Sequence, residues 1–528
     1  MVYVPPDQIW IVVVGFLIAF ILAFGIGAND VANSFGTSVG SKVISLRKAC
    51  ILASIFDVLG SILLGAKVSN TVREGVISPD ALAAQNLTNL PQVMMIGHLS
   101  SLSGGCLWLL VATFLKLPVS GSHSIVGAMV GFALIIQGSA GIAWKKLGMI
   151  VASWFVSPIL SGLVSAFIFF IFDKFILKKS ESREPALNFL PFIYAITIFI
   201  NFFSIFLTGP ALLKFDKVPI YGNFAISIGL SVITIIVVRF ALVPYLRKII
   251  LKNKSTSNNA NDVSSGSSNP GPVVDCKMKN LHEDVSCKVL LVKEKPKAKI
   301  QERFHPSKIS LEGEVKIKKG RKIEFQLPNM EMCEVSVENK NENCKDVECK
   351  TVEKTVIKDK PELVTIFSWV QVLTATFGSF AHGGNDVSNA IGPLVGLWII
   401  AVTQDVYSTE AVPIWILFYG GLGITVGLWV WGRRVMKTIG DDLTTITPTS
   451  GVSIELGAAV TVLVASNIGI PISTTHCKVG SIVAVGRYRS NDNVDWSIFR
   501  NICFAWLVTV PVSAGISALT MFLLRMLI

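Results

Sequence analysis

The chain has 528 residues, of which 51% are hydrophobic and 16% charged, and its mean hydropathy is +0.60. That balance exceeds what a soluble domain can bury, excludes one, and points to a polytopic membrane protein. The formal net charge of +12 would suggest nucleic acid in a soluble chain; here much of it flanks apolar runs, where cytoplasmic retention explains it, and no nucleic-acid partner is expected.

The N-terminal MVYVPPDQIW lacks a basic region, and the apolar run behind it is too long for a cleavable signal. Runs able to cross a bilayer, or nearly so, lie at 9–44, 50–66, 92–115, 118–137, 147–172, 188–209 and 222–246. A hydrophilic stretch fills 252–360, and further runs follow at 363–402, 411–431, 452–469, 471–486 and 501–527. Only helices or closed barrels satisfy the backbone in lipid, and these runs do not alternate as barrel strands would. The expectation is an all-α polytopic membrane protein of about twelve transmembrane helices in the lipid bilayer. It divides into membrane halves at 1–251 and 361–528 around a loop at 252–360. The loop's mixed charge and weak periodicity predict a disordered linker. Its short apolar pieces at 288–292 and 323–325 offer local pairing or a dock for regulatory partners.

Basic residues set the orientation. Lys42, Arg47 and Lys48, then Lys174, Lys178, Lys179 and Arg183, then Arg247, Lys248, Lys252 and Lys254 share one side with Arg433, Arg434, Lys437, Arg487, Arg489 and Arg500. By the positive-inside rule that side is cytoplasmic and both termini are outside. The opposite side carries the sequon at Asn86, a glycosylation candidate. The nine cysteines form no even framework and lack zinc spacing with histidines, so free thiols are expected.

Two elements occur twice. FGIGANDVANSFGTSVG at 24–40 returns as FAHGGNDVSNAIGPLVG at 380–396, a step of 356 residues that matches Asn29, Asp30 and Asn33 with Asn385, Asp386 and Asn389. An odd number of crossings separates the copies, so they run in opposite directions: inverted repeats, from which many secondary transporters build a midplane site. LPVSGSHSIVG at 117–127 likewise pairs with IPISTTHCKVG at 470–480. Proline disfavours helix in the residue before it, and the Ser, Thr and Gly that follow are N-cap chemistry. Each element therefore reads as a broken helix or re-entrant hairpin with exposed amides at a new helix start.

That geometry suits an anion. Ser120, Gly121, Ser122, Ser473, Thr474 and Thr475 offer amides and hydroxyls to a tetrahedral oxyanion, with the helix dipoles behind them. Asp30 and Asp386 would repel it, but carboxylates among amide carbonyls suit a hard cation; bound Na⁺ would neutralise them and serve as the coupling ion. Asp57 and Glu455 are further intramembrane acids, costly there and read as ion-binding or proton-relay groups. His123 and His476 read as hairpin-packing donors. No nucleotide-binding loop is present, so the energy source is an ion gradient and no enzymatic cofactor is expected.

These same residues carry a family likeness. GANDVANSFGTSVGS, ACILASIFDVLGSILLGAKV, SFAHGGNDVSNAIGPLVG and ASNIGIPISTTHCKVGS resemble the PiT family of inorganic phosphate transporters, in particular the animal type III sodium-dependent phosphate cotransporters of solute carrier family twenty. The likeness covers nearly all the membrane portion and excludes most of 252–360. It implies Na⁺-coupled phosphate uptake at the plasma membrane, twelve spans and a homodimer. It also implies phosphate or Na⁺ contacts at Asp30, Asn33, Ser120, Ser122, Asp386, Asn389, Ser473, Thr474 and Thr475, with Asn29 and Asn385 as Na⁺ or structural ligands. The chain departs from the family pattern at Asp57, where Glu is usual, and at His98, near a usual acid. A proton-coupled or sulfate carrier on the same scaffold and a transport-inactive receptor are the competing readings. Two costly membrane acids argue against the receptor.

Overall fold

The computed structural model describes residues 4–77, 89–209, 217–262, 273–277, 286–290, 315–318, 322–325, 333–336, 358–432, 435, 443–490 and 494–526. The glycosylation candidate Asn86 and the basic residues Arg433, Arg434 and Lys437 lie outside them, as does most of the long loop. Contacts divide the chain into a membrane unit, Met1–Leu251 with Lys358–Ile528, and a second unit, Lys252–Ile357.

The membrane unit is helical. In chain order its helices are α1 (Ile9–Gly40), α2 (Leu46–Gly75), α3 (Leu90–Phe114), α4 (Gly121–Gln137), α5 (Trp144–Phe172), α6 (Arg183–Thr208), α7 (Ile220–Val237) and α8 (Val243–Asp262). After the loop come α9 (Pro361–Thr403), α10 (Ile414–Trp431), α11 (Pro448–Ile468), α12 (Thr474–Arg489) and α13 (Trp496–Arg525). A π turn at Val238–Leu242 joins α7 to α8, so the two form one rod. Among the described residues, eleven helices are long and apolar enough to span a bilayer. The twelfth expected run is α12, whose 16 residues make it shorter than a full crossing.

Small residues decide how these helices meet. A Cβ on Gly27 would strike the Ile424 carbonyl, and one on Gly427 the Phe24 carbonyl, so α1 and α10 touch backbone to backbone. A Cβ on Gly60 would strike the Phe380 carbonyl and one on Gly383 the Asp57 backbone, so α2 and α9 do the same. In lipid, close backbone approach replaces the hydrophobic drive between helices. The two contacts are counterparts: a step of 356 carries Phe24 and Gly27 to Phe380 and Gly383, and a step of 367 carries Asp57 and Gly60 to Ile424 and Gly427. Each half thus lends a helix to the other's motif helix. The α4–α13 and α12–α5 pairs repeat the exchange, with Gly127 against Val510 and Ser513 and Gly480 against Pro158.

The second unit holds two small antiparallel sheets, β1 (Val273–Lys277) with β2 (Ser286–Leu290), and β3 (Val315–Lys318), β4 (Lys322–Phe325) and β5 (Cys333–Ser336) in that order. The apolar piece that begins at 288 falls in β2 and the one at 323–325 in β4.

Candidate functional site

Both proline-led elements break the helix as their residues dictate. Between α3 and α4 the chain is extended at Ser120, whose hydroxyl accepts the His123 N–H and caps α4. Between α11 and α12 Ser473 does the same for the His476 N–H. One orphan amide of each helix start is thereby satisfied, while those of Gly121, Ser122, Thr474 and Thr475 stay outside the helical hydrogen-bond pattern. All six residues are buried.

The two bends hold each other. Ser122 Oγ donates to Ile472 O at 2.6 Å, and Thr475 Oγ1 stands 3.2 Å from Val119 O. These are repeat partners, since a step of 353 carries Val119 and Ser122 to Ile472 and Thr475. The motif helices cross over in the same way. Asn33 Nδ2 of α1 donates to Thr475 Oγ1 at 3.0 Å, and its counterpart Asn389 of α9 donates to Ser122 Oγ at 3.1 Å. Behind the bends four rings lie in a row, Trp154, His123, His476 and Trp506, with centroids 3.7, 4.4 and 3.7 Å apart, the first pair stacked and the other two tilted. His123 Nδ1 lies 2.8 Å from the Ser120 capping hydroxyl, and Trp506 Nε1 donates to Pro118 O. The histidines pack the bends, as their place in the sequence suggests.

Asp30 and Asp386 meet at this crossing. Asp30 Oδ1 accepts from Asn33 Nδ2 at 3.0 Å and faces Thr475 Oγ1 at 3.1 Å; Asp386 Oδ1 accepts from Thr474 Oγ1 at 3.0 Å. With Ile26, Gly27, Ser34, Asp57, Gly383 and Ile424 they line one cavity, which has room for about one water-sized species. Among the described residues no three His, Cys, Asp or Glu side chains converge as a metal cluster. A different donor set is present instead. The amide oxygens of Asn33, Asn385 and Asn389 are buried without a hydrogen-bond partner, beside carboxylates that need a counter-charge. Carboxylate with carbonyl oxygen is a hard-cation environment.

Asn29 and Asn385, alike in sequence, differ here. Asn29 spends its whole amide on the first bend, donating to Leu117 O and Thr113 Oγ1 and accepting from the Val119 N–H. It is a strap. Asn385 Nδ2 donates to Ile472 O at 3.0 Å and leaves its oxygen free.

The two remaining acids sit apart from each other. Asp57 lines the cavity and accepts from Ser379 of α9. Glu455 stands in a nest of neutral donors: Oε1 accepts from Thr37 and Ser38, both at 2.6 Å, and from Gln371 at 3.2 Å, while Oε2 accepts from Thr374 at 2.5 Å. The sequence reading named Glu455 but missed this nest and its neighbour Lys478, which is 1% exposed. A lysine inside the second bend motif where the first has Ile125 was the available signal. Cys50, Cys106, Cys477 and Cys503 are free thiols.

Known proteins give an independent comparison. Residues 26–517 match the profile of the phosphate transporter family. The chain is 41% identical to "Sodium-dependent phosphate transporter 1-B" of Danio rerio, covering 99% of this chain and 96% of the relative. It is 40% identical to "Sodium-dependent phosphate transporter 1" of Rattus norvegicus, over 98% and 96%, and 39% identical to that of Homo sapiens, over 99% and 97%. A solved structure titled "The sodium-dependent phosphate transporter" superposes with a TM-score of 0.71 at 28% identity, covering 98% of this chain and all of that one.

Proposed function

The chain belongs to the phosphate transporter family, and from that premise we propose that it is a sodium-coupled symporter that imports inorganic phosphate across the plasma membrane by alternating access. It is a carrier, not an enzyme. One observation carries the residue-level reading: bonds exchanged between the halves bring the two helix N-termini together beside Asp30 and Asp386, whose carboxylates line a single cavity.

Na⁺ takes the carboxylates of Asp30 and Asp386 with the open amide oxygens of Asn33, Asn385 and Asn389. Phosphate takes the amides of Gly121, Ser122, Thr474 and Thr475 and the hydroxyls around them. The cavity admits a monatomic cation but not a tetrahedral oxyanion. Phosphate therefore enters only when the Asn33–Thr475 and Asn389–Ser122 pairs part. Those asparagines each answer to a carboxylate or a bend, so cation and anion binding act on the same bonds. Each net positive charge carried inward gains about 2.3 kcal/mol per 100 mV of membrane potential.

The repeats are inverted, with both termini and Asn86 external and 252–360 cytoplasmic, where its serines and apolar pieces meet regulatory partners. Two copies assemble as a homodimer. The deciding experiment is radiolabelled phosphate uptake in cells, with Na⁺ replaced by choline, external pH varied and sulfate added as competitor. Uptake should vanish in choline, persist across pH while Na⁺ is present, and resist sulfate. Uptake that follows protons in choline, or that sulfate blocks at equal concentration, rejects the assignment.

A further inference from the structure

Lys478 is among the most deeply buried side chains of the molecule, at 1% exposure. It lies on α12 one turn beyond Thr474, the hydroxyl on Asp386. Its neighbour Cys477 packs into one cluster with Ala458, Ala459 and Val462 of α11, the helix that carries Glu455. Its ammonium makes no hydrogen bond or ion pair with a described residue, yet its charge acts at Glu455 and at the His382 ring. Glu455 itself is 1% exposed and held by neutral donors alone, from Thr37, Ser38, Gln371 and Thr374. Four neutral donors orient a carboxylate but leave its charge uncompensated. A buried charge without compensation is strongly destabilising.

The duplication supplies a control within the same molecule. Steps of 356 and 353 carry Thr37, Ser38, Gln371, Thr374, Glu455 and Lys478 onto Pro393, Leu394, Gly15, Ile18, Leu102 and Ile125. Leu102, Leu394 and Ile125 belong to one hydrophobic core, with Ile18 packed against it. The same place in the other half is filled by apolar side chains, so packing does not require an acid and a lysine there.

We propose that Lys478 is this carrier's built-in cation: its ammonium supplies at Glu455 the positive charge that a transported Na⁺ would otherwise bring, and so fixes how many Na⁺ ions accompany each phosphate. The proposal rests on the Na⁺-symport reading and names a residue that sets its stoichiometry. Lys478 is a positioning residue acting through Glu455, so the test reads an ion ratio instead of uptake alone.

The full chain is reconstituted in proteoliposomes, and ²²Na and ³²P influx are measured together for wild type, Lys478→Arg, Lys478→Met, Glu455→Gln and the Lys478→Met/Glu455→Gln pair. With the ammonium gone, the Glu455 charge needs another partner, so Lys478→Met should raise the Na⁺:phosphate ratio by about one. Lys478→Arg should keep the wild-type ratio, and the double variant should return to it, as coupling between the two sites demands. An unmoved ratio in Lys478→Met, or a double variant that keeps the raised one, overturns the proposal. Where Lys478→Met is not delivered, rescue of folding by Glu455→Gln supports it, and a double variant as defective as the single overturns it. Wild-type influx of phosphate without Na⁺ sinks the symport reading as well, whereas a coupled wild type with an unmoved ratio sinks this inference alone.

Discussion

Asp30 and Asp386 have almost the same neighbours in sequence but different partners in space. Asp386 is held by Thr474 of its own half, and Asp30 reaches across to Thr475 of the other. Replacing either acid by Asn keeps the shape and removes the charge proposed to hold Na⁺. Each of Asp30→Asn and Asp386→Asn should abolish Na⁺-driven phosphate uptake while surface biotinylation remains near wild type. Normal uptake by either variant would remove the coupling role. Asp57 is a milder case. It meets the cavity from one side only, and its repeat partner is Ile424, so a carboxylate at that depth is not needed to pack α10. Asp57→Glu adds one methylene beside the Ser379 hydroxyl. The half-saturating Na⁺ concentration should shift by less than about tenfold, which corresponds to roughly 1.4 kcal/mol; a total loss of uptake would give Asp57 a larger role than lining the cavity.

At the scale of elements, the four glycine contacts set how closely the helices approach. Gly27 and Gly427 hold α1 against α10, and Gly60 and Gly383 hold α2 against α9. A valine at Gly427 meets the backbone carbonyl of Phe24, which cannot rotate away. Overpacking of this kind costs about 1–3 kcal/mol or more, so Gly427→Val should lower the detergent melting temperature and surface abundance. Gly148, with nothing within 4 Å of its would-be Cβ, is the control: Gly148→Ala should change neither. Equal effects at both positions would mean that the α1–α10 contact does not bear on stability. These elements also mark what the sequence could and could not reveal. The doubled motifs, the proline breaks and the serine caps were legible because local chemistry writes them: Pro118 and Pro471 stop one helix, and Ser120 and Ser473 start the next. The exchange of α2 and α10 between halves was not. Its partners lie at a step of 367 instead of 356, and Asp57 against Ile424 hides the correspondence. Asn29 and Asn385 were indistinguishable for a related reason. Which amide straps a bend and which keeps an open oxygen depends on contacts some 90 residues away.

For the molecule as a whole, the question is where the long loop ends and the carrier begins. Asp359 answers it. Its Oδ1 pairs with Arg489 Nη2 at 3.0 Å, and its Oδ2 accepts from Thr449 N at 3.0 Å and Thr449 Oγ1 at 2.7 Å. Arg489 also donates to Thr447 Oγ1 at 2.7 Å. This buried group ties Asp359, two residues before α9, to the start of α11 and the end of α12. These are the helices that carry Glu455 at one end of the nest and Thr474, Thr475 and Lys478 at the site. The residues that build the site all lie outside 262–350. Removing them closes a shorter loop, and loop-closure free energy changes only slowly with length. Deleting 262–350 should therefore leave Na⁺-driven phosphate uptake within a few-fold of wild type, whereas Asp359→Ala strands a buried guanidinium at a cost of about 3–5 kcal/mol and should strip the carrier from the surface. Uptake and surface biotinylation of both variants, measured side by side, decide the matter. A deletion that reaches the surface yet carries no phosphate would move the loop from appendage to working part, and an unaffected Asp359→Ala would deny that this latch joins the two.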